Sequence, residues 1–431
     1  MKLRKSGRAV LATAATLGLG LGLTSCSPSN TVDFVYVTAS KANPGQISVY
    51  RSDSESGALT QIQDSPYPSG GRNPVGAVTS SDGKYLYVIN KDDNNIVVFA
   101  IGTDGKLYPQ QTCNTPGSAP VALSLYPSVA TLSGGATAGS SFLYVVDFYS
   151  PITPGGPVYS PANPGPGALV VFPVDTSSGK VGGSNCTPVT QTFVDSNNTT
   201  QTATYVPVGP SPTGVNVLAN GSAVYVTAQN GPPSATSTLG VVDAFDVSSG
   251  ALSAGTTYAA GTAPSAVASD PTNRFLYVTD SRQNQLITYT ILSTGTLNPS
   301  QNPPTKTDTF PIAITVDPRG QYIYVANYNS ADITAYAINT STGVPSAIAG
   351  AASYATGAGP SCVIVEPGLG RFIYTANFID NTVTGMELNP NTGALTANQN
   401  SPYLAAGQPT CAAAIPHGNH STQNVSAVAG S

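Results

Sequence analysis

Short apolar runs separated by turn residues repeat along most of the chain. One complete unit reads APSAVASDP, RFLYVTD, QLITYTI and GTLNPSQ, beginning at Ala263. Each piece has the length of a strand, and the clearer ones have the β-branched and aromatic content of one. Gly, Pro, Asn and Asp separate the pieces, as is typical of tight turns. Each unit therefore predicts four short antiparallel strands.

The second strand of this unit recurs with tyrosine at its third position. Successive tyrosines are 47 to 57 residues apart, except for one interval of 81 residues. Four-stranded repeats of this length are typical of propeller blades. The sequence therefore predicts an all-β fold, a seven-bladed β-propeller with four antiparallel strands per blade. The copies are FVYVTAS from Phe34, YLYVINK from Tyr85, FLYVVDF from Phe142, AVYVTAQ from Ala223, FLYVTDS from Phe275, YIYVANY from Tyr322 and FIYTANF from Phe372.

The two ends of the repeat array are complementary. The first tyrosine phrase, at Phe34, has no first strand before it, and the last first-strand phrase, QPTCAAAIP, has no tyrosine phrase after it. Pairing the strand near Pro409 with the strand near Phe34 completes one blade and removes two unpaired edges. We therefore expect residues 34–416 to form a ring closed by its N- and C-terminal strands.

These repeats resemble a known family. The phrases PRGQYIYVANYNSADITAYAINTSTGV and GRFIYTANFIDNTVTGMELNPNTGALT are similar to the repeats of YVTN-type propellers and of the lactonase family of seven-bladed propellers, which includes 6-phosphogluconolactonase-like proteins. The resemblance covers about residues 34 to 416 and implies hydrolysis of a sugar lactone. Its shared residues recur in every blade, so they specify architecture and cannot carry catalysis seven times over.

The N-terminal residues are predicted to be an export signal. They combine a basic start with an uncharged apolar stretch, and LTSC at residues 23–26 resembles the lipobox of bacterial lipoproteins. We expect a signal peptide at residues 1–25, lipid on Cys26, a tether at residues 26–33 and a disordered tail at residues 417–431. An ordinary cleaved signal or a retained membrane helix is the alternative. Ser27 after the lipidated cysteine favours the outer membrane, if the host has one.

Charge limits the range of partners. Only 9% of the residues are charged, and removal of the signal would change the formal charge from −5 to −9. A nucleic-acid partner is therefore excluded. We expect an exported monomer that meets the membrane through its lipid alone, with a sugar or lactone ligand or an envelope protein as its partner.

Chemistry is expected where the tyrosine phrases end and the first strands begin, because both lie at one rim of a propeller. Both histidines, His417 and His420, fall in the tail, which excludes a histidine base inside the rim. An aspartate base with an arginine that stabilises the oxyanion is the remaining catalytic arrangement. The candidate catalytic residues are Arg72, Asp92, Asp147, Asp280, Arg282 and Asp332.

Two further rim features are candidates for ligand binding. Tyr149, Tyr328 and Phe378 follow tyrosine phrases and offer rings for a ligand, or they pack between blades. The insertion at residues 150–167 is rich in proline and glycine, which predicts an irregular loop over the rim. Such a loop is either a functional cover or tolerated decoration.

No cofactor is expected, with calcium as the alternative. Asp92, Asp93, Asn94 and Asn95 place hard oxygen ligands in one loop, although these residue types also suit a plain hairpin turn. No loop shows the spaced ligands of a dedicated calcium motif.

Four cysteines follow Cys26, an even number in an exported chain. Cys362 and Cys411 occupy the same place on the inner strands of adjacent blades, which predicts a disulfide. Cys113 and Cys186 lie in outer segments of consecutive repeats, where a bond needs help from a loop.

Two functions follow from these patterns. The preferred one is a lipid-anchored scaffold that binds a ligand or protein through one rim, because the rim lacks a recognisable catalytic constellation. The alternative is a lactone hydrolase, a carboxylic ester hydrolase of the family type. The sequence leaves open whether the chain is an enzyme.

Overall fold

The structure of the chain is a computed structural model that describes residues 30–127, 141–195, 198–230, 239–253, 255–348 and 353–418. Apart from single-turn 3-10 segments such as Lys91–Asp93 and Gly183–Asn185, the elements within these residues are β-strands. They form seven antiparallel sheets of four or five strands and one separate two-stranded hairpin. The predicted seven-bladed propeller is confirmed.

The first three blades include the irregular part of the molecule. Blade 1 contains β1 (Thr31–Ala39), β2 (Gln46–Asp53), β3 (Leu59–Gln61), β4 (Tyr67–Pro68) and, from the other end of the chain, β35 (Pro409–Pro416). Blade 2 contains β5 (Pro74–Thr79), β6 (Tyr85–Asn90), β7 (Asn95–Ile101) and β8 (Leu107–Asn114). Blade 3 contains β9 (Ser118–Tyr126), β10 (Ser141–Tyr149), β11 (Pro166–Val174) and β14 (Val206–Pro210), with the hairpin β12 (Gln191–Val194) and β13 (Thr200–Ala203) inserted before β14.

The other four blades share one plan, in which two short strands pair with different halves of the third strand. Blade 4 contains β15 (Pro212–Val217), β16 (Ala223–Ala228), β17 (Val241–Ser248), β18 (Ala251–Leu252) and β19 (Thr256–Ala259). Blade 5 contains β20 (Pro264–Ser269), β21 (Phe275–Asp280), β22 (Gln285–Ile291), β23 (Leu297–Pro299) and β24 (Thr305–Lys306). Blade 6 contains β25 (Pro311–Val316), β26 (Tyr322–Asn327), β27 (Asp332–Ile338), β28 (Pro345–Ala347) and β29 (Ser353–Ala355). Blade 7 contains β30 (Pro360–Val365), β31 (Phe372–Asn377), β32 (Thr382–Leu388), β33 (Leu395–Ala397) and β34 (Tyr403–Leu404).

The ring closes as the sequence predicts, by pairing of β1 with β35. Phe34 lies opposite Ile415, and the antiparallel register continues to Thr38 opposite Cys411. The ordered strand begins at Thr31, three residues before the predicted boundary. His417, predicted to be in the tail, donates its amide to Val32 at 2.8 Å. Residues 1–29, including the predicted signal and Cys26, and residues 419–431 lie outside the described residues.

The innermost strands of the blades contact one another in sequence around the axis: β5, β9, β15, β20, β25, β30 and β35. Hydroxyl side chains near the start of these strands fasten several neighbours by donating to a proline carbonyl of the next blade. These bonds are Thr213 to Pro264 (2.9 Å), Ser265 to Pro311 (2.6 Å), Ser361 to Pro409 (3.0 Å) and Thr410 to Pro74 (2.6 Å).

The seven repeat tyrosines are fully buried, and most of their hydroxyls join neighbouring blades. Five of them donate to a glycine carbonyl in the outer hairpin of the next blade: Tyr36 to Gly105, Tyr225 to Gly295, Tyr277 to Gly343, Tyr324 to Gly393 and Tyr374 to Gly57. The hairpin residue must be glycine: at Gly343, which has a φ of +74°, an added Cβ would lie 2.3 Å from the Phe275 ring. The repeated phrase is therefore blade-to-blade architecture.

The described part of the chain has no helix with the length and apolar character needed to cross a membrane.

Candidate functional site

The upper rim is defined here as the loops after the second strands together with the segments that precede the innermost strands. Backbone hydrogen bonds join the two sets within each blade. Lys91 donates to Asn73 in blade 2, Ser281 to Ala263 in blade 5 and Phe378 to Gly359 in blade 7, at 2.8 to 3.0 Å. Side chains from these two sets therefore share one surface.

A cleft of about 420 Å³ opens on the upper rim between blades 2 and 3. We call it the rim cleft. Its volume lies in the range of small-molecule sites. It is open to solvent and contains charged, aromatic and hydroxyl side chains. The lining residues are Arg72, Lys91, Asp92, Asn94, Ser118, Ala119, Tyr149, Val158, Tyr159, Ser160 and Pro161.

The proline-rich insertion forms one wall of the rim cleft. It folds back on itself, because the Tyr159 amide donates to Ser150 at 2.9 Å and the Ile152 amide donates to Pro157 at 2.7 Å. A side chain at Gly165 would meet the Tyr159 ring, since an added Cβ would lie 2.4 Å from it. These contacts fix the loop and position Tyr159 beside Tyr149 in the cleft wall.

The blade 2 side of the rim cleft contributes the charged residues. The Arg72 guanidinium donates from Nε to Asp93 Oδ1 at 2.7 Å, and its backbone amide donates to Oδ2 at 2.7 Å. The hydrogen bond from Arg72 lowers the pKa of Asp93. Asp92 accepts a hydrogen bond from Asn73 Nδ2 at 3.1 Å, and the Lys91 ammonium lies 5.9 Å from the centre of the Phe148 ring. The rim cleft thus has a guanidinium, an ammonium, a carboxylate and two tyrosines in its lining.

Asp147 and Asp280 do not face this cleft. Both are fully buried at the ends of β10 and β21. Burial raises the pKa of Asp147 to about 7, although the amide of Gly117 donates to its Oδ2 at 2.9 Å. Asp280 accepts four backbone amides, from Thr262, Ala263, Arg282 and Gln283. Both carboxyls hold rim loops by accepting backbone amides from beneath them. A position next to a rim loop in the sequence therefore does not place a side chain on the rim surface.

The last two catalytic candidates lie on other blades. Arg282 is exposed on the rim of blade 5. Asp332, in blade 6, is half-buried and accepts from Asn327 Nδ2 at 2.7 Å. Burial, followed by the nearby Asp308, raises the pKa of Asp332 to about 6. Of the six candidates, only Arg72 and Asp92 are brought together.

Of the three aromatic candidates, only Tyr149 lies in the rim cleft. Tyr149 lines the rim cleft and packs edge-on against Phe148, with the ring centres 4.8 Å apart. Tyr328 in blade 6 packs edge-on against Phe310 at 6.4 Å. Phe378 in blade 7 is half-buried. Neither of these two lines the cleft.

Sequence reasoning did not select Lys91, Ser118, Tyr159 and Ser160 as site residues. The proline-rich insertion was the available signal for Tyr159 and Ser160, because it is the long loop on this part of the rim. Lys91 directly precedes the candidate Asp92, so the sequence places it on the same rim loop. Ser118 begins the inner strand β9, and its sequence position carried no signal of its own.

Each residue of the loop at 92–95 accepts a side-chain hydrogen bond from the protein. Asp93 accepts from Arg72 and Asp92 from Asn73, while Asn94 Oδ1 accepts from the amide of Ala119 at 2.7 Å. Asn95 Oδ1 accepts from Asn90 Nδ2 at 2.9 Å. Across the described ranges, no group of three or more His, Cys, Asp or Glu side chains is placed to hold a metal ion.

The four described cysteines form two pairs. Cys113 on β8 and Cys186 in blade 3 are joined by a disulfide, with their Cα atoms 5.5 Å apart. Cys362 and Cys411 are adjacent free thiols whose sulfurs are 2.9 Å apart, at hydrogen-bonding distance. Their pairing as a disulfide stays a prediction.

Solved structures share this fold over nearly the whole chain. A Bacteroides fragilis protein assigned as a 6-phosphogluconolactonase superposes with a TM-score of 0.64 at 18% identity, covering 90% of this chain and 99% of the other. A Bacteroides uniformis protein with the same assignment gives a TM-score of 0.65 at 17% identity, covering 90% of this chain and 100% of the other. The periplasmic gluconolactonase PpgL of Pseudomonas aeruginosa gives 0.65 at 16%, covering 89% and 99%. At these identities, the likeness shows the fold alone.

No curated protein matches the chain significantly in sequence. The family model described as Lactonase, 7-bladed beta-propeller matches residues 28–132 and 247–365, which together make up more than half of the chain. The chain therefore belongs to the seven-bladed β-propeller lactonase family.

Proposed function

We propose that the chain binds a sugar lactone, or the sugar acid that its opening yields, in the rim cleft. The observation that carries the proposal is that Arg72, Lys91 and Asp92 line one cleft together with Tyr149 and Tyr159. Tyrosine rings pack against the apolar face of a sugar ring, and their hydroxyls provide polar contacts. Arginine and lysine donate to carbonyl or carboxylate oxygens, while a carboxylate accepts from sugar hydroxyls. Family membership supports a lactone as the ligand class.

Binding is tested by calorimetric titration of the full chain with D-gluconate, the stable product of D-gluconolactone opening. We expect Lys91→Met and Tyr149→Ala each to weaken binding about tenfold, which corresponds to about 1.4 kcal/mol. Arg282→Gln is the matched control, because Arg282 is an exposed cation on the same rim but outside the cleft. If Arg282→Gln weakens binding and the cleft variants do not, the ligand binds elsewhere on the rim.

The same titration is repeated with calcium and with a chelator. The residues at 92–95 already accept hydrogen bonds from the protein, so we expect the affinity to be unchanged. An affinity that rises with calcium would place a cation in this loop and would contradict that expectation.

Hydrolysis is the second candidate, and Asp92 is the observation that favours it. A carboxylate beside two cations can take a proton from water as the water attacks the lactone carbonyl. Arg72 or Lys91 would then stabilise the oxyanion, and the ring C–O bond would break as Asp92 returns the proton to the ring oxygen. The product is the open sugar acid.

Hydrolysis is measured as acid release from D-gluconolactone above the rate in buffer. We expect Asp92→Asn to abolish the excess rate while gluconate still binds, and Asp332→Asn, on blade 6, to leave the rate unchanged. Binding without any excess rate in the wild type would assign the cleft to recognition alone.

We also propose that the chain is exported and lipid-anchored through Cys26, on the basis of its signal-like N-terminus. Lipid incorporation in cells is expected for the wild type and not for Cys26→Ser. Equal labelling of the two chains would refute lipidation at Cys26. Labelling of neither would leave an ordinary signal as the explanation of the N-terminus.

A further inference from the structure

Two cysteines face each other at the seam where the propeller closes. Cys362 lies on β30, the innermost strand of blade 7, and Cys411 lies on β35, the innermost strand of blade 1. Their sulfurs are 2.9 Å apart, and the Ala412 amide donates to the Cys362 sulfur at 3.2 Å. Neither residue lines the rim cleft.

We propose that Cys362 and Cys411 form a disulfide that covalently fastens the closing strand to blade 7. This modification site is independent of the ligand proposed for the rim cleft. A disulfide holds its sulfurs about 2.05 Å apart, so the two sulfurs need to approach by only about 1 Å. Side-chain rotation and small strand movements can supply such an approach.

The bond would strengthen a junction that is otherwise noncovalent. Strand β35 is held to blade 1 by its pairing with β1. A hydrogen bond between the Thr38 and Thr410 hydroxyls adds to this pairing, with the two Oγ1 atoms 2.8 Å apart. The cysteines are 49 residues apart in the chain, so a bond between them closes a long loop in the unfolded state. Cross-links of this kind stabilise a fold mainly by restricting the unfolded chain.

The surroundings assign the two sulfurs different roles. The hydrogen bond from Cys362 and the amides of Ala77 and Ala412 lower the pKa of Cys411 against the opposing effect of burial. The hydrogen bond between the two thiols and then burial raise the pKa of Cys362. Cys411 is also partly exposed, whereas Cys362 is buried, so Cys411 is the sulfur that a small oxidant reaches first.

The reaction needs a small disulfide as oxidant, such as oxidised glutathione. The Cys411 thiolate attacks one sulfur of the oxidant, forms a mixed disulfide and releases one thiolate. Cys362 loses its proton to solvent and attacks the Cys411 sulfur, which expels the second thiolate. Two electrons pass from the cysteines to the oxidant, which leaves as two thiols.

The test uses the full chain oxidised with glutathione disulfide, alkylated without reduction and digested for mass spectrometry. We expect one peptide pair joined through Cys362 and Cys411, with the mass of two hydrogens missing. The double variant Cys113→Ser/Cys186→Ser removes the other disulfide, so within residues 30–418 its oxidised and reduced forms differ only at the seam. Oxidation should raise its melting temperature by roughly 5 °C. Adding Cys362→Ser should abolish that difference.

Three results would overturn the proposal. Cys362 and Cys411 could both be recovered alkylated, each could carry glutathione separately, or the cross-link could join two molecules. Should the double variant fail to fold, peptide mapping of the wild type still decides, because it locates each bond directly. A wild-type seam bond without any change in melting temperature would refute the stabilising role.

Discussion

Replacement of Asp147 by asparagine is expected to stabilise the protein, and the gain should depend on pH. Asp147 is fully buried at the end of β10. Asparagine occupies the corresponding position in three other blades, as Asn90, Asn327 and Asn377. An asparagine at 147 keeps an oxygen that can accept from the Gly117 amide. It removes the carboxyl whose ionised form is expensive to bury.

The size of the effect follows from the pKa of Asp147, which burial raises from 3.8 to about 7. At 1.36 kcal/mol per pH unit, this change corresponds to about 4 kcal/mol. Because the folded chain holds this proton to higher pH than the unfolded chain, stability is lost as the pH rises from about 4 to about 7. Asp147→Asn should therefore match the wild type near pH 4 and exceed it by up to about 4 kcal/mol at pH 8.

The assay is urea unfolding of both proteins at pH 4.5, 6 and 8, followed by circular dichroism. Asp280→Asn is the matched control, because Asp280 ends β21 at the equivalent position in blade 5. Its carboxylate accepts four backbone amides, so an amide side chain would lose charge-assisted hydrogen bonds. We expect that variant to be less stable by about 1.5 to 3 kcal/mol at pH 8.

A stability difference between Asp147→Asn and the wild type that stays the same at all three pH values would refute this reasoning. Burial of the ionised carboxyl would then not be the source of the difference. A loss of stability at pH 8 would show instead that the carboxylate contributes favourable contacts. Neither substitution should affect gluconate binding, since both side chains lie beneath the rim loops.

The remaining predictions concern the blade junctions. Tyr324→Phe removes the hydroxyl that donates to Gly393 at 2.9 Å and should lower the free energy of unfolding by about 1 kcal/mol. Tyr144→Phe is the control and should leave it unchanged, because the buried Tyr144 hydroxyl has no partner in the described part of the chain. Asp33→Asn should raise the urea midpoint at pH 8 but not below pH 4, because burial and the neighbouring Glu366 raise the pKa of Asp33. Truncation before β35 should open the ring and speed proteolysis of blade 1, and an unchanged proteolysis rate would contradict the closure.

The sequence predicts the fold well because the contacts between blades are themselves repeated. The Tyr324 hydroxyl needs the Gly393 carbonyl of the next blade, and that hairpin glycine is required by the close packing of the Tyr322 ring. Each blade therefore needs the same residues at the same spacing, and the repeat becomes visible in the chain. Closure could be predicted from the unmatched strands at the two ends, because an open array would expose two sheet edges.

The site is less predictable because the sequence does not distinguish a rim carboxyl that faces solvent from one that anchors a loop. Asp92 is exposed, whereas Asp147 is fully buried, yet both come at the end of an apolar stretch and precede a rim loop. Aspartate suits either place, since it can accept backbone amides or face water. Only the three-dimensional path of the following loop decides between the two. In blade 3 that path leads into the insertion, which has no periodicity to indicate where Tyr159 points.

Differences between the repeats are therefore the better guide to function. Residues that the blades share, such as the buried tyrosines Tyr277 and Tyr324, join one blade to the next. The rim cleft instead combines a blade 2 loop with the blade 3 insertion, and the insertion has no copy in the other blades. A ligand held between them contacts two blades at once. Shortening the insertion to the loop length of blade 6 should therefore abolish gluconate binding and leave the melting temperature nearly unchanged. Retained binding in this deletion variant would place the site outside the cleft.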